Sequence, residues 1–166
     1  MKVGLVYDPI YLKHDTGGHV ENSSRLAETI ALLEKTRLIE KLVALPPRAA
    51  SAEEVSLVHS SSHISRVQSY SKGGGGWLDG DTFASPASYD VALHAVGGVL
   101  QAVDAIMAGK VDHVFALVRP PGHHATAHEA MGFCLFNNIA IAAEYAKRNY
   151  KLERVLIVDF DGHHGN

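Results

Sequence analysis

The sequence predicts an α/β fold, an open parallel sheet with helices on both faces. Short apolar segments alternate with amphipathic segments along the whole chain, which is the pattern of strand–helix–strand units. The segments 113–118 and 154–160 are too apolar to leave one face to water, as in parallel sheets covered on both sides. With 166 residues, the chain has the length of one domain.

The apolar and amphipathic segments set the order of the predicted elements. Strands are predicted at 3–8, 41–47, 113–118 and 154–160. Helices are predicted at 24–36, 51–58, 63–70, 85–108 and 137–149. Ser51 and Glu54 have the spacing of a capping box, and Ser85 before Pro86 is typical of a helix start. Gly109 is expected to end the longest helix.

The glycine-rich segment 71–85 is predicted to be a mobile loop. It lacks the Gly-Lys-Ser/Thr ending that a phosphate-binding loop requires, so nucleotide binding is not expected.

Composition argues against several other classes of protein. The formal net charge is −3 and there is no long basic run, so nucleic acid is not an expected partner. The single cysteine, Cys134, cannot form an internal disulfide, and the first apolar run ends at Asp8. We therefore expect a cytoplasmic chain that does not insert into a membrane.

Polar side chains with metal-binding and proton-transfer chemistry follow two of the predicted strands. His123 and His124 come after the strand at 113–118. Asp159, Asp161 and His163 come at the end of the strand at 154–160. Ligands of open α/β sheets bind at the carboxyl ends of strands, so both groups are expected at one site.

In an extended segment, alternate residues point the same way, which would put Asp159, Asp161 and His163 on one face. A carboxylate and an imidazole suit zinc, but a third protein ligand would have to come from elsewhere. The adjacent pair His123 and His124 suits general acid–base catalysis. Each imidazole needs a partner on its second nitrogen, and Asp159 and Asn166 are available.

The other histidines are weaker candidates. His94, His113 and His128 are assigned to packing or to solvent, and His59 and His63, which flank helix ends, carry no signal. His14 and His19 lie in the first polar loop, where either could reach the rim of a site, but a solvated loop is favoured.

Three ordered motifs resemble the histone deacetylase family, particularly class II-like bacterial members and acetylpolyamine amidohydrolases. They are "VRPPGHHA", "GFCLFNN" and "VLIVDFDGHHGN". "VGLVYD", "HDTGGHVENSSRL" and "DGDTFASPASYDVAL" match the same pattern in order. The resemblance implies an arginase/deacetylase-like open parallel sheet, and residues 1–166 are interpreted as the N-terminal portion of a single deacetylase-type domain.

The resemblance also implies an activity, the hydrolysis of an acetylated lysine peptide or an acetylated small amine with the help of zinc. Asp161 and His163 would be zinc ligands, and His124 the general base and acid. His123 would be hydrogen-bonded to Asp159, whose side chain would also help to bind potassium together with nearby backbone carbonyls.

The resemblance also implies a hydrogen-bond partner for His124 and residues that bind the substrate. Asn166 would stand behind His124, at a position where class I members carry aspartate. Phe133 would line a narrow tunnel for the acyl-lysine stem, with Gly132 giving room for it. Asp81 is the candidate carboxylate at the rim, and Asp79 is its rival.

The chain departs from the family pattern in three respects. Family members supply a third zinc ligand, an aspartate, and an oxyanion donor, a tyrosine, from later segments. Where relatives carry Gly-His-Pro-Glu-Arg-Pro, residues 18–24 read "GHVENSS". We therefore expect a truncated fold, a fragment with little or no activity alone.

Two alternatives stay open: a ureohydrolase relative with two manganese ions, and a non-enzymatic binding module. Self-association into a homo-oligomer also stays open.

Overall fold

The computed structural model describes residues 1–166 and contains five strands and five α-helices. The strands are β1 (Val3–Val6), β2 (Val43–Ala44), β3 (Gly76–Trp77), β4 (Phe83–Ala84) and β5 (His113–Ala116). The α-helices are α1 (Ser24–Lys35), α2 (Ala52–Val55), α3 (Ser61–Lys72), α4 (Ser88–Met107) and α5 (Asn138–Tyr150). Short 3₁₀ helices cover Pro9–Lys13 and Ile39–Lys41.

A three-stranded parallel sheet with the order β2-β1-β5 confirms the predicted α/β class. In the register of β1 and β5, Val3 lies opposite His113 and Val6 opposite Ala116. Parallel neighbours require a crossover, and the chain between β1 and β5 supplies α1 to α4. All three strands therefore end at the same edge of the sheet.

Three apolar clusters hold the helices in place, and the third, of Tyr11, Leu26, Val91 and Ala95, packs α1 against α4. The other two are larger. The larger one joins α3, α4 and α5, and includes the fully buried Leu100, Leu135, Phe136 and Ile141. The smaller one packs α4 against the sheet through Val6, Leu45, Ala102, Ala105 and Val111. By length and a mean hydropathy of 1.3, α4 could also span a membrane, but half of its apolar window is buried inside the protein. Its apolar character is that of a central core helix.

The predicted strand at 154–160 does not form, which is the main difference from the sequence-based fold. No strand is hydrogen-bonded to this segment, and Leu156, Val158 and Phe160 are 85%, 73% and 96% exposed. A cavity of about 520 Å³ lies between it and the end of β5. An apolar run has β-strand propensity, but it becomes a strand only when a neighbour accepts and donates its backbone hydrogen bonds.

The expectation that the apolar strands have no exposed face is also wrong for β5. Phe115, in the middle of this strand, is 47% exposed. Burial on the second face depends on which elements cover it, and composition alone does not determine that.

The helix signals are partly confirmed. Ser51 and Glu54 form the predicted capping box, with the Glu54 N–H donating to Ser51 Oγ at 3.2 Å and the Ser51 N–H donating to Glu54 Oε2 at 2.8 Å. Gly109 ends α4 at a φ of +67°. The predicted cap at Ser85 is wrong, because α4 begins at Ser88, whose hydroxyl accepts from the Ser85 N–H at 2.7 Å.

The glycine-rich segment contains an antiparallel hairpin of β3 and β4, which the sequence did not predict. Gly76 pairs with Ala84 and Trp77 with Phe83. The turn is closed by the Leu78 N–H, which donates to the Thr82 carbonyl at 2.8 Å. These backbone hydrogen bonds give part of the predicted mobile loop the structure of a defined hairpin.

A buried ion pair joins the segment after β5 to the loop after β1. Arg119 is 1% exposed, and its Nε donates to Glu21 Oε1 at 2.6 Å, where Glu21 is 3% exposed. The guanidinium also donates to the carbonyls of Tyr11 and His14, and to Thr16 Oγ1 at 3.1 Å. One arginine therefore fixes the path of the loop from residue 11 to residue 21.

Three histidines that were assigned to loops or carried no signal are buried. His14, His59 and His63 are 1%, 2% and 1% exposed. Burial and the Arg119 charge lower the pKa of His14 to about 3, and burial together with His63 lowers the pKa of His59 to about 4. Burial also lowers the pKa of His63. All three are therefore neutral in the native protein at pH 7.

The buried histidines predict a loss of stability in mild acid. Unfolded histidine titrates near 6.5, so below this pH the unfolded chain binds protons that the folded chain does not. The free energy of unfolding should fall as the pH drops from 6.5 toward about 4. His59 alone should account for about 2 kcal/mol at pH 5. Urea denaturation at pH 7 and pH 5 measures this loss.

A variant and a control make that test specific. His59→Gln can still accept the hydrogen bond that His59 Nε2 accepts from the Asn137 N–H at 2.8 Å, but it does not titrate. It should therefore lose less stability between pH 7 and pH 5 than the unaltered chain. The exposed His113→Gln should behave like the unaltered chain. Equal acid losses in all three proteins would contradict the assignment.

Arg119→Ala should destabilise the fold by about 3–5 kcal/mol, because it leaves the Glu21 carboxylate buried without its counter-charge. The matched control is Arg37→Ala, which breaks the exposed Arg37–Glu40 pair of 2.9 Å and should cost no more than about 1 kcal/mol. Urea denaturation at pH 7 measures both, and equal losses would refute the structural role of Arg119.

Candidate active site

The two adjacent imidazoles lie in the turn between β5 and α5. Gly122 precedes them where the chain passes close to the start of α5: a Cβ at this position would lie 2.6 Å from the Asn138 backbone nitrogen. The rings of His123 and His124 are 4.1 Å apart between centroids, at 45° to each other. The turn thus presents both imidazoles side by side at the carboxyl edge of the sheet.

Each imidazole has its own hydrogen-bond partner from the last residues of the chain. His123 Nδ1 lies 2.8 Å from Asp159 Oδ2, and this hydrogen bond holds the pKa of Asp159 below its usual value. His124 Nδ1 lies 3.3 Å from Asn166 Oδ1. Since both partner oxygens are acceptors, each Nδ1 carries the proton and each Nε2 is left with a lone pair.

Asn166 is held in turn by two further contacts. Its backbone N–H donates to the His123 carbonyl at 2.9 Å, and its side-chain amide donates to Met131 Sδ at 2.7 Å. The same amide that faces His124 is therefore fixed against the turn that carries His123 and against the chain before Gly132.

Asp161 and His163 lie next to each other, although not by the predicted alternation along a strand. Asp159 Oδ1 accepts from the Asp161 N–H at 3.1 Å, and Asp161 Oδ1 accepts from the His163 N–H at 2.8 Å. These contacts bend the segment, and they bring His163 Nδ1 to 3.2 Å from Asp161 Oδ1. The hydrogen bonds from His163 hold the pKa of Asp161 low, so this carboxylate is ionised and can act as a ligand.

One cavity of about 300 Å³ is lined by the four side chains that the sequence predicts to bind a metal or to transfer protons. His123, His124, Asp161 and His163 all line it. Gly132 and Phe133 line it as well. Asp159 and Asn166 line a second cavity of about 530 Å³, which shares His123, Asp161 and His163 with the first. The two predicted partners therefore contact the imidazoles through Nδ1 without lining the first cavity.

The turn at Gly132 and Phe133 is shaped by the His124 imidazole. Gly132 has a φ of +54°, and a Cβ at this position would lie 2.7 Å from His124 Cγ, so glycine makes room for the ring itself. The family resemblance implies that Gly132 makes room for the substrate, whereas the space it leaves here is filled by the His124 ring. Phe133 also has a positive φ, +69°, which is uncommon for an aromatic residue. Its N–H donates to Thr82 Oγ1 at 3.0 Å, which ties this turn to the β3–β4 hairpin.

The two candidate rim carboxylates have different surroundings. Asp79 accepts from the Asp81 N–H at 3.0 Å and the Thr82 N–H at 2.6 Å. Burial alone would raise its pKa, but these hydrogen bonds outweigh burial and lower it. Asp81 instead lines a narrow crevice together with Phe133. Asp79 therefore closes the turn, whereas Asp81 lines the crevice beside Phe133.

The first polar loop contributes residues that the sequence analysis did not assign. His19 packs edge-on against Phe133, with ring centroids 4.5 Å apart. Glu21 and Arg25 line the 300 Å³ cavity. The stretch "HDTGGHVENSSRL" already matched the family in order and contains all three, so this match was the signal that could have identified them.

The thiol of Cys134 takes no part in this chemistry. It is fully buried, and burial raises its pKa to about 12.

Asp161 and His163 are of the residue types that bind zinc, but two protein ligands are fewer than a catalytic zinc site requires. A catalytic zinc site has three protein ligands of the nitrogen, oxygen or sulfur type, with one position open for water. No group of three or more His, Cys, Asp or Glu side chains in the chain has the geometry to hold a metal ion. These residues therefore supply two donors of the right chemistry, one short of the usual set.

Comparison with known proteins gives one consistent result. Residues 19–166 match the family model described as the histone deacetylase domain. The chain is 44% identical over 163 residues to a "Probable deacetylase" of Methanothermobacter thermautotrophicus, covering 98% of this chain and 48% of that protein. It is 40% identical over 149 residues to the "Histone deacetylase-like amidohydrolase" of Pseudomonas aeruginosa, covering 90% and 39%.

A eukaryotic relative and a solved structure from the same family also match this chain. The human "Polyamine deacetylase HDAC10" is 41% identical over 153 residues, covering 88% of this chain and 23% of that protein. The crystal structure of the HDA15 HD domain superposes with a TM-score of 0.85 and 32% identity, covering 90% of this chain and 44% of that one. This chain spans about half, or less, of these proteins.

The match extends over most of the chain and includes both histidine-bearing turns, and the fold agrees with that of the solved relative. The chain therefore belongs to the histone deacetylase family.

Proposed function

We propose that the full-length protein is a zinc-dependent amidohydrolase that removes acetyl or other acyl groups from acetyl-lysine or from acetylated amines. The observation that carries this proposal is the single cavity lined by His123, His124, Asp161 and His163. Two imidazoles with free Nε2 atoms face two ligand-type side chains there. Family membership supports the same reaction class.

Asp161 and His163 would hold the zinc ion, with further ligands from outside these 166 residues. When bound, zinc would polarise the acyl carbonyl and lower the pKa of a coordinated water. Asp159 and the backbone carbonyls around it are proposed to hold potassium. Asp159 is ionised and hydrogen-bonded to His123, so it can hold the His123 ring and bind a potassium ion at the same time.

His124 is the proposed general base and acid. Its Nδ1–H is held by Asn166, so its Nε2 can take a proton from water and deliver it to the leaving amine. The Asn166 amide, a neutral group, orients the ring through this contact. His123, held 2.8 Å from the Asp159 carboxylate, would act as an electrostatic partner.

Phe133 and Asp81 are proposed to receive the substrate. The Phe133 ring forms a wall of the 300 Å³ cavity, which suits the apolar stem of an acyl-lysine. Asp81 at the rim can accept a hydrogen bond from the substrate's backbone or amine. Gly132 contributes by leaving space for the His124 ring beside this wall.

The alternatives from the sequence are less well supported. Ureohydrolase relatives carry a further aspartate after the strand-end histidine, and "DFDGHHGN" lacks it. The matched relatives are named as deacetylases. A purely binding role does not require two imidazoles with separate acceptors on Nδ1. A cytoplasmic location remains a prediction.

His124→Ala in the full-length protein should lower turnover of an acetyl-lysine peptide by about 10²–10⁴-fold, because the proton acceptor is lost. The matched control is His113→Ala, which removes an exposed histidine at the start of β5 and should leave turnover unchanged. Release of acetate measures both. Full turnover in His124→Ala would refute the assigned role.

The 166-residue chain alone should bind zinc weakly, because it supplies only two donors of the usual three. Asp161→Ala or His163→Ala should weaken this binding by about tenfold or more, as removal of even an outer partner does. The control is His164→Ala, which removes the exposed neighbour of His163. Isothermal titration with zinc chloride measures the affinity.

The isolated chain should also show little or no deacetylation of an acetyl-lysine peptide. Robust turnover by these residues alone, abolished by His124→Ala, would show that the site is complete within them. Binding of two manganese ions per full-length protein in preference to zinc would instead favour the ureohydrolase alternative.

A further inference from the structure

Trp77 is a large aromatic side chain that the proposed mechanism does not use. It lies on β3, in the hairpin that precedes α4, and it is 57% exposed. Tryptophan is seldom this exposed without reason, and it is enriched among the residues that dominate binding at interfaces. Its position relative to the active site therefore bears on what the site recognises.

The hairpin holds the indole in a fixed position. The Trp77 and Phe83 rings make an edge contact with centroids 5.2 Å apart. The turn between them is anchored from outside, since Arg66 Nη2 donates to the Leu78 carbonyl at 2.7 Å. A ring held in this way loses little conformational entropy on binding, which favours affinity.

Trp77 is continuous with the candidate active site through Phe133. Trp77, Phe133, Asp81 and His19 line the same crevice. Phe133 also lines the 300 Å³ cavity that holds the catalytic imidazoles. The crevice itself measures only about 10 Å³, so a side chain would have to rest on the outer surface of the rings.

We infer that Trp77 is a recognition platform for an apolar side chain one or two residues from the acyl-lysine of a peptide substrate. This inference rests on the proposed deacetylase function and specifies the substrate as a peptide. One phenyl ring separates the two surfaces, and successive peptide residues advance by about 3.3 Å in an extended chain. A small acetylated amine filling the cavity would have no second side chain to place on the indole.

The chemistry of the rim favours an apolar neighbour over a basic one. The crevice is lined by five rings, those of His14, His19, Trp77, Phe83 and Phe133, by the hydroxyl-bearing Thr16, and by a single carboxylate, Asp81. The nearby Asp79 carboxylate already accepts two backbone hydrogen bonds in its own turn. Aromatic surface is therefore the main feature that the rim offers, and burying it against an apolar side chain is favourable.

Trp77 is the single tryptophan of the chain, so its fluorescence reports binding directly. The 166-residue chain would be titrated with three acetyl-lysine peptides whose residues flanking the modified lysine are leucine, arginine or glycine. The leucine peptide should shift the emission to shorter wavelength and bind about five- to tenfold more tightly than the glycine peptide. No shift, equal affinity for all three, or tightest binding of the arginine peptide overturns the inference.

Variants separate recognition from folding. Trp77→Ala should bind the leucine and glycine peptides with about equal affinity. Fluorescence anisotropy of labelled peptides measures both affinities. The matched control is Leu32→Ala, which removes an apolar side chain of similar exposure, 59%, from α1 and should keep the preference. Equal loss in both variants would point to general destabilisation and overturn the inference.

Kinetics of the full-length protein separate this inference from the proposed function. Turnover that does not depend on the flanking residue would support the deacetylase proposal and contradict the role of Trp77 in recognition. Peptide-selective binding to Trp77 without any release of acetate would support the role of Trp77 and contradict the deacetylase proposal. If both proposals hold, Trp77→Ala should lower kcat/KM about tenfold for the leucine peptide, chiefly through KM, and leave an acetylated small amine unaffected.

Discussion

The buried Arg119–Glu21 ion pair is the contact on which the geometry of the site depends. Arg119 stands directly before the Pro-Pro-Gly-His-His turn, and Glu21 lies in the loop that carries His19. Through this pair, the end of β5 fixes the position of the loop after β1. Two charges in the interior are expensive unless they are paired and hydrogen-bonded, and this guanidinium has both kinds of partner. The interior can therefore accommodate an ion pair that orders two loops on either side of one cavity.

Hydrogen bonding behind the imidazoles is the second constraint. Asp159 and Asn166 come from the same short segment as Asp161 and His163. A single stretch of chain thus delivers both the ligand-type side chains on the cavity and the groups that orient the two histidines from behind. This arrangement couples the two functions: a shift of residues 159–166 would move the metal donors and release the imidazoles together. The bends at Asp159 and Asp161 hold that stretch in place without any strand pairing.

Much of the fold and most of the site could be predicted from local pattern. The parallel strands, the capping box, the end of α4 at Gly109 and the two histidine-bearing turns are each encoded within a few residues. Other features were not predictable in this way. The strand at 154–160 fails to form because pairing requires a neighbour. The hairpin of β3 and β4 is closed by local backbone pairing between residues 76 and 84, which the glycine-rich composition of this segment did not indicate. His14 appeared solvated because its loop is polar, yet Arg119 and Ser88, both far along the chain, bury it.

The sequence by itself determined the chemical inventory: which imidazoles and carboxylates follow which strands, and that two donors suit a metal. Residue type and spacing are enough for that, because they limit what each segment can bind. Only the tertiary structure decided that Glu21, His19 and Trp77 belong to the surroundings of the site, and that Gly132 makes room for His124. Except for Gly132 and His124, which are only eight residues apart, those relations join segments some fifty to more than a hundred residues apart. Contacts over such separations are set by packing and buried charge, which local sequence patterns do not record.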